Sequence, residues 1–246
     1  MKLTTIVVAA MVAMAAACFG ARQPAATTGE RAHQKAGPDV LVYVDNSILV
    51  PSDVMLGAKE TASRMFAGIG LRVEWTVHPP APAREPAGTG CSSVQPEVFV
   101  IRMTSEASEP GTAEALGYAL PYSRNGTRIT VFYGGLLQAI LPQRRLASAL
   151  LAHVMVHEIT HVLQRVARHS DAGVMRAHWT TSDFADMLRK PLEFTPIDVA
   201  LIRRGQAQRR AEACILGRAM PDSGSGQTVP ERNDAIGAGI VPVPVR

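Results

Sequence analysis

The sequence predicts an α+β fold: a sheet of about five strands packed on one N-terminal helix and one long central helix, followed by C-terminal helices. Two patterns carry that prediction. Before residue 134, short runs rich in Val, Ile and Phe recur between clusters of Gly, Pro and Asn, as strands do. After residue 144 the apolar residues switch to helical spacing. With 47% of its 246 residues hydrophobic, the chain can bury a core of catalytic-domain size, expected over residues 38–218.

The elements follow in order. "VLVYV" (40–44) reads as a buried strand closed by the turn at Asp45 and Asn46. Ser52 is placed to cap a helix whose apolar positions Val54, Ala58, Ala62, Met65 and Phe66 keep helical spacing until Gly68 and Gly70. Leu71, Val73, Trp75 and Val77 alternate with polar residues as a second strand. The Pro- and Gly-rich stretch 78–93 reads as a surface loop, which makes His78 a strand-end residue and no ligand. "EVFVIRM" (97–103) is a third strand. "LGYALP" (116–121), the Asn125-Gly126 turn and "TRITVFY" (127–133) form a hairpin-like pair.

From about Arg144 a long helix carries Leu151, Met155, Ile159, Val162 and Val166 as one apolar stripe. Two capped helices follow, one starting at Thr180 or Thr181 with Asp183 in its first turn. The other starts at Thr195-Pro196-Ile197-Asp198, with Pro at the first helical position.

The chain ends carry other signals. Residues 1–20 hold one Lys, an apolar run from Ile6 to Ala17 and small residues, the make-up of a secretory signal, which implies a secreted or periplasmic protein. Ala15-Ala16-Ala17-Cys18 also resembles a lipoprotein box. Residues 21–37 read as a linker and 219–246 as a disordered tail. Export makes a Cys91–Cys214 disulfide chemically permissible, two free thiols being the alternative. No further apolar run implies a transmembrane helix in the mature chain, and nothing indicates the oligomeric state. The net charge is +4, and Arg203, Arg204, Arg209 and Arg210 fall on one helix without interleaved aromatics. That pattern reads as a solvated helix face and not as a nucleic-acid surface.

The chemistry is concentrated in "HEITH" (157–161). His157 and His161, four residues apart, share one helical face and can both reach one metal ion. Glu158 is rotated about 100° around the axis, beside the open coordination position and out of the ligand shell. Zinc there would acidify a water, and Glu158 would act as general base and return the proton to a leaving amine, which implies amide hydrolysis. His153 shares the face but lies a further turn back, about 12 Å from His161 along the axis, where it packs or supports.

Around this motif the sequence resembles the zincin superfamily and, within it, the metzincins. "HSDAGVM" (169–175) is similar to their third histidine with its following serine, turn glycine and methionine. A closer likeness is to a group of exported bacterial proteins with the pattern HExxHxLxGxxxHSxxGxMRAxW, which "HEITHVLQRVARHSDAGVMRAHW" mostly fits. The resemblance spans residues 40–179. It implies a zincin-like, mixed, twisted sheet with one antiparallel edge strand that holds extended peptide, zinc as cofactor, and His169 as third ligand. Two departures stand out: the metzincin spacing would put the third histidine at Ala167, and the turn glycine is replaced by Gln164 or, in the closer pattern, Arg165. "QRVAR" is good helix former, and a helix continued through it would carry His169 away. Glu193 is the alternative third ligand, as in thermolysin-like proteins.

The expectation is an exported zinc-dependent endopeptidase acting on a peptide or protein, with His157, His161 and His169 as ligands and Glu158 as base. The alternatives are a catalytically inactive metal-binding or partner-binding module on the same fold, and a helical structural protein without metal.

Overall fold

The computed structural model describes residues 37–79, 95–105, 115–121, 127–141 and 143–218. The signal, Cys18, most of the linker, Cys91 and its pairing with Cys214, and the tail lie outside the described residues. The described residues form an α+β unit built on one five-stranded mixed sheet.

The strands are β1 (Val40–Asp45), β2 (Val73–Thr76), β3 (Glu97–Thr104), β4 (Gly117–Ala119) and β5 (Thr127–Phe132), in the spatial order β2-β1-β3-β5-β4. All neighbours run parallel except β4, which pairs antiparallel with β5 at the edge. Register puts one apolar set on a common face. Val42 stands opposite Phe99, Val44 opposite Ile101, Ile101 opposite Ile129, and Met103 opposite Val131, all buried. Each such side chain contributes about 1.5–3 kcal/mol relative to its exposed state. That face receives two helices, α1 (Ser52–Ala67) and α3 (Ala147–Gln164), which pack against each other and on the sheet.

Between β5 and α3 lies α2 (Tyr133–Ala139), which the sequence reading does not predict. Gly134 and Gly135 lower its helix propensity, but Gly134 is needed for close approach: a methyl there would overlap the carbonyl oxygen of Ser105. Ser52 is the first residue of α1 and not its cap; Pro51 holds the cap position without a side-chain hydrogen bond. The last two helices, α4 (Thr181–Met187) and α5 (Pro196–Arg218), start with reciprocal capping boxes. Thr180 and Asp183 exchange hydrogen bonds at α4, Thr195 and Asp198 at α5.

The segment 144–164 is long and apolar enough to span a membrane by composition, yet it lies in the core. Its expected one-sided stripe is replaced by burial all round: every residue from Leu150 to Gln164 is buried, the histidines among them. Val166, expected to extend the stripe, lies beyond the end of α3 and is half-buried.

Candidate metal centre

α3 brings His157 and His161 together as helical spacing requires, with Nε2 atoms 2.9 Å apart. The other nitrogen of each ring decides what that contact means. His157 Nδ1 donates to the carbonyl of Val174 at 2.8 Å, and His161 Nδ1 to that of Val166 at 3.3 Å. A carbonyl only accepts, so both protons of the neutral rings are on Nδ1, and both Nε2 atoms present bare lone pairs. Burial favours the neutral form: it pushes His157 well below the usual histidine range and His161 down to about 4, with the neighbouring histidines adding to both shifts. Two lone pairs aimed at each other in a buried site repel unless a cation lies between them.

His169 supplies a third nitrogen. The ligand atoms of His157, His161 and His169 lie within 4.8 Å of one another, and the His169 ring is centred 5.2 Å from that of His157 and 5.0 Å from that of His161. Its buried Nε2 has no hydrogen-bond partner among the described residues. Burial lowers its pKa, and the nearby His178 adds to the shift. An all-nitrogen set of three imidazoles, with an orphaned nitrogen and two opposed lone pairs, fits a divalent metal ion that favours imidazole.

The chain reaches His169 by breaking α3. Arg165 takes the left-handed conformation (φ 56°, ψ 34°), the position a glycine would ordinarily fill. A compact turn then follows the histidine: Ser170 N–H bonds to Met175 O at 2.7 Å, and Gly173 adopts a positive φ of 75°. Met175 is fully buried, and the carbonyl of Val174 just before it holds His157. Ser170 donates to the buried carboxylate of Asp198 at 2.6 Å, which also accepts from Thr195 N–H and Oγ1. Asp198 is thus both cap of α5 and anchor of the loop that carries His169.

Glu193 is not part of the cluster. Its exposed carboxylate pairs with Lys190, which lowers its pKa. Only its backbone approaches, the carbonyl accepting from Val174 N–H at 3.0 Å and lying where a methyl on Gly173 would fall. The thermolysin-like alternative therefore drops out. His153 is a fully satisfied neutral ring: Nδ1 donates to Ala149 O at 2.6 Å and Nε2 accepts from Leu192 N–H at 2.9 Å, with burial pulling its pKa down to about 4. Trp179 stands edge-on to both His153 and His157.

Glu158 lies beside the cluster on α3, fully buried, and neither carboxylate oxygen has a hydrogen-bond partner among the described residues. Burial pushes its carboxyl well above the usual range. It packs beneath the edge strand, where Gly117 leaves room: a methyl there would come within 3.4 Å of Glu158 Cγ and 2.9 Å of Thr130 O. An unpaired buried carboxyl is costly unless another role retains it.

The sequence places Asp198 only in a helix start and Ser170 only as the serine after the third histidine, and it does not single out His178. Thr195-Pro-Ile-Asp198 announces a helix cap, but nothing local tells that the same carboxylate grips Ser170, 28 residues away. The chain matches no protein-family model, no curated protein and no solved structure.

Proposed function

We propose that the chain is an exported zinc-dependent endopeptidase of zincin-like, metzincin-type build. The observation that carries this is the pair of bare Nε2 atoms 2.9 Å apart, with the orphaned Nε2 of His169 within reach and an unpaired carboxyl on the next residue of the helix. His157, His161 and His169 would hold the ion. When bound, zinc supplies Lewis acidity that polarises a carbonyl and acidifies water.

The remaining steps belong to the protein. Glu158 accepts the proton of the attacking water and delivers it to the leaving amide nitrogen. Burial raises its pKa above the ordinary carboxylate range, the direction that favours returning a proton once it is taken. The Val174 and Val166 carbonyls hold two imidazoles in the tautomer that offers Nε2. The short antiparallel edge strand β4 supports the reading further, because an extended peptide can add to its outer edge while Glu158 lies directly beneath.

Replacing Glu158 by Gln tests this directly. Zinc content and fold should be unchanged, and cleavage of unfolded-protein or peptide-library substrates should fall by about 100-fold or more, on the order of a general base's contribution. Equal cleavage by both proteins assigns the activity elsewhere; zinc binding without cleavage by either leaves a metal-binding module.

A further inference from the structure

α3 stops where its sequence favours continuing. Gln164 to Arg168 are good helix formers without glycine, yet the backbone turns left-handed at Arg165. In a continuing helix the amides of Val166 and Ala167 would bond to the carbonyls of Val162 and Leu163. Both oxygens have partners outside that ladder: Val162 O accepts from the Arg165 amide at 3.1 Å, a tighter bond across three residues, and each oxygen also accepts from a guanidinium. Arg209 of α5 donates from Nη1 to Val162 O and from Nη2 to Leu163 O, each at 2.9 Å.

The guanidinium is well fixed for this. Its planar fork matches two successive carbonyls at a helix end, which lack intrahelical partners once the helix stops. Glu97, at the head of β3, faces its Nε at 2.7 Å, an ion pair off the geometry of a regular hydrogen bond. Gly205, one turn earlier on α5, lets the two helices touch, since a methyl there would overlap Leu163 O. Arg165 itself is tied back to α5 by Glu212 at 2.6 Å. Arg209 is thus no part of a solvated arginine face, as the sequence pattern implied; it is largely buried between α3 and β3.

We propose that Arg209 is a helix stop supplied by a distant helix of the same chain: its fork binds the two carbonyls on which α3 would continue, and so holds the turn that returns His169 to His157 and His161. Arg209 is a positioning residue and touches neither ion nor substrate. It does the work of the glycine that this sequence lacks. The ligand half of the proposal rests on the metal reading; the helix stop does not.

The test uses the purified chain as wild type, Arg209→Ala, Arg209→Gln, and Arg209→Ala combined with Arg165→Gly. Two readouts are taken: Cα chemical shifts of residues 165–168 without metal, and cobalt(II) titration followed by visible absorption. In Arg209→Ala the shifts should move toward helix and cobalt affinity should fall about 10- to 100-fold, the usual effect of losing a residue that orients a ligand. Arg209→Gln, which retains one donor group, should fall between and decides the matter if the alanine variant does not fold. Adding Arg165→Gly should restore both readouts, because glycine enters the left-handed turn freely. A merely stabilising arginine would not be rescued by glycine. Unchanged shifts and affinity in Arg209→Ala or Arg209→Gln, or no rescue, overturn the proposal. A wild type that takes up no cobalt removes the metal reading and the ligand-positioning role with it, while the shifts alone still decide the helix stop.

Discussion

The two halves of the site are held by different physics. His157, Glu158 and His161 are positioned by a helix whose own periodicity sets their spacing, and whose all-round burial locks their rotamers. His169 stands on a loop with no regular structure, held from outside by the carboxylate of Asp198, the guanidinium of Arg209 and the backbone of Glu193. A helix can encode geometry in five consecutive residues. A loop of this kind needs partners dozens of residues away, so its geometry is set only when the whole domain has folded.

That contrast can be broken most severely at the helix. His157→Ala or His161→Ala should abolish stoichiometric metal uptake, whereas His169→Ala should weaken it and leave the paired nitrogens in place; elemental analysis after dialysis separates the two. On the loop side, Asp198→Ala should cost about 2–3 kcal/mol in urea unfolding, since the buried Ser170 Oγ and the half-buried Thr195 amide lose their acceptor. It should also loosen the loop while leaving the helical pair intact, which the NMR spectrum of the histidine rings can report.

His153 gives a pH-dependent test on the helix side. Its folded pKa is lowered to about 4 against an ordinary 6.5, so the unfolded chain binds the proton more readily. The neutral ring's contribution is fully present above pH 6.5 and is lost as pH falls toward 4, amounting to about 3 kcal/mol. Metal-free wild type should therefore lose stability steeply over that interval, and His153→Gln should show a shallower slope. Equal slopes would contradict the assignment. The smallest effect belongs to Arg165→Gly, which should be neutral or stabilise by up to about 1 kcal/mol by removing a left-handed non-glycine residue at the cost of an exposed pair with Glu212.

Legibility in the sequence follows the same division. The five strands, the long central helix and the capping boxes at Thr180 and Thr195 were readable because each rests on a local pattern of apolar period or turn chemistry. His157, Glu158 and His161 were readable for the same reason. The turn at Arg165 was not, because its cause is Arg209, 47 residues from Val162 and indistinguishable in sequence from its solvated neighbour Arg210. Helix α2 escaped notice because its paired glycines, which lower local propensity, serve a packing contact with Ser105. Glu193 looked like a ligand by type and position, but its side chain turns to Lys190 and only its carbonyl serves the site.

X-ray absorption at the zinc edge, on protein loaded with one equivalent of zinc, counts ligands without relying on turnover. Three imidazole nitrogens at about 2.0–2.1 Å with one further light-atom ligand are expected, falling to two imidazoles in His169→Ala. A wild-type protein that retains no zinc, or a shell unchanged by His169→Ala, would contradict the three-histidine site.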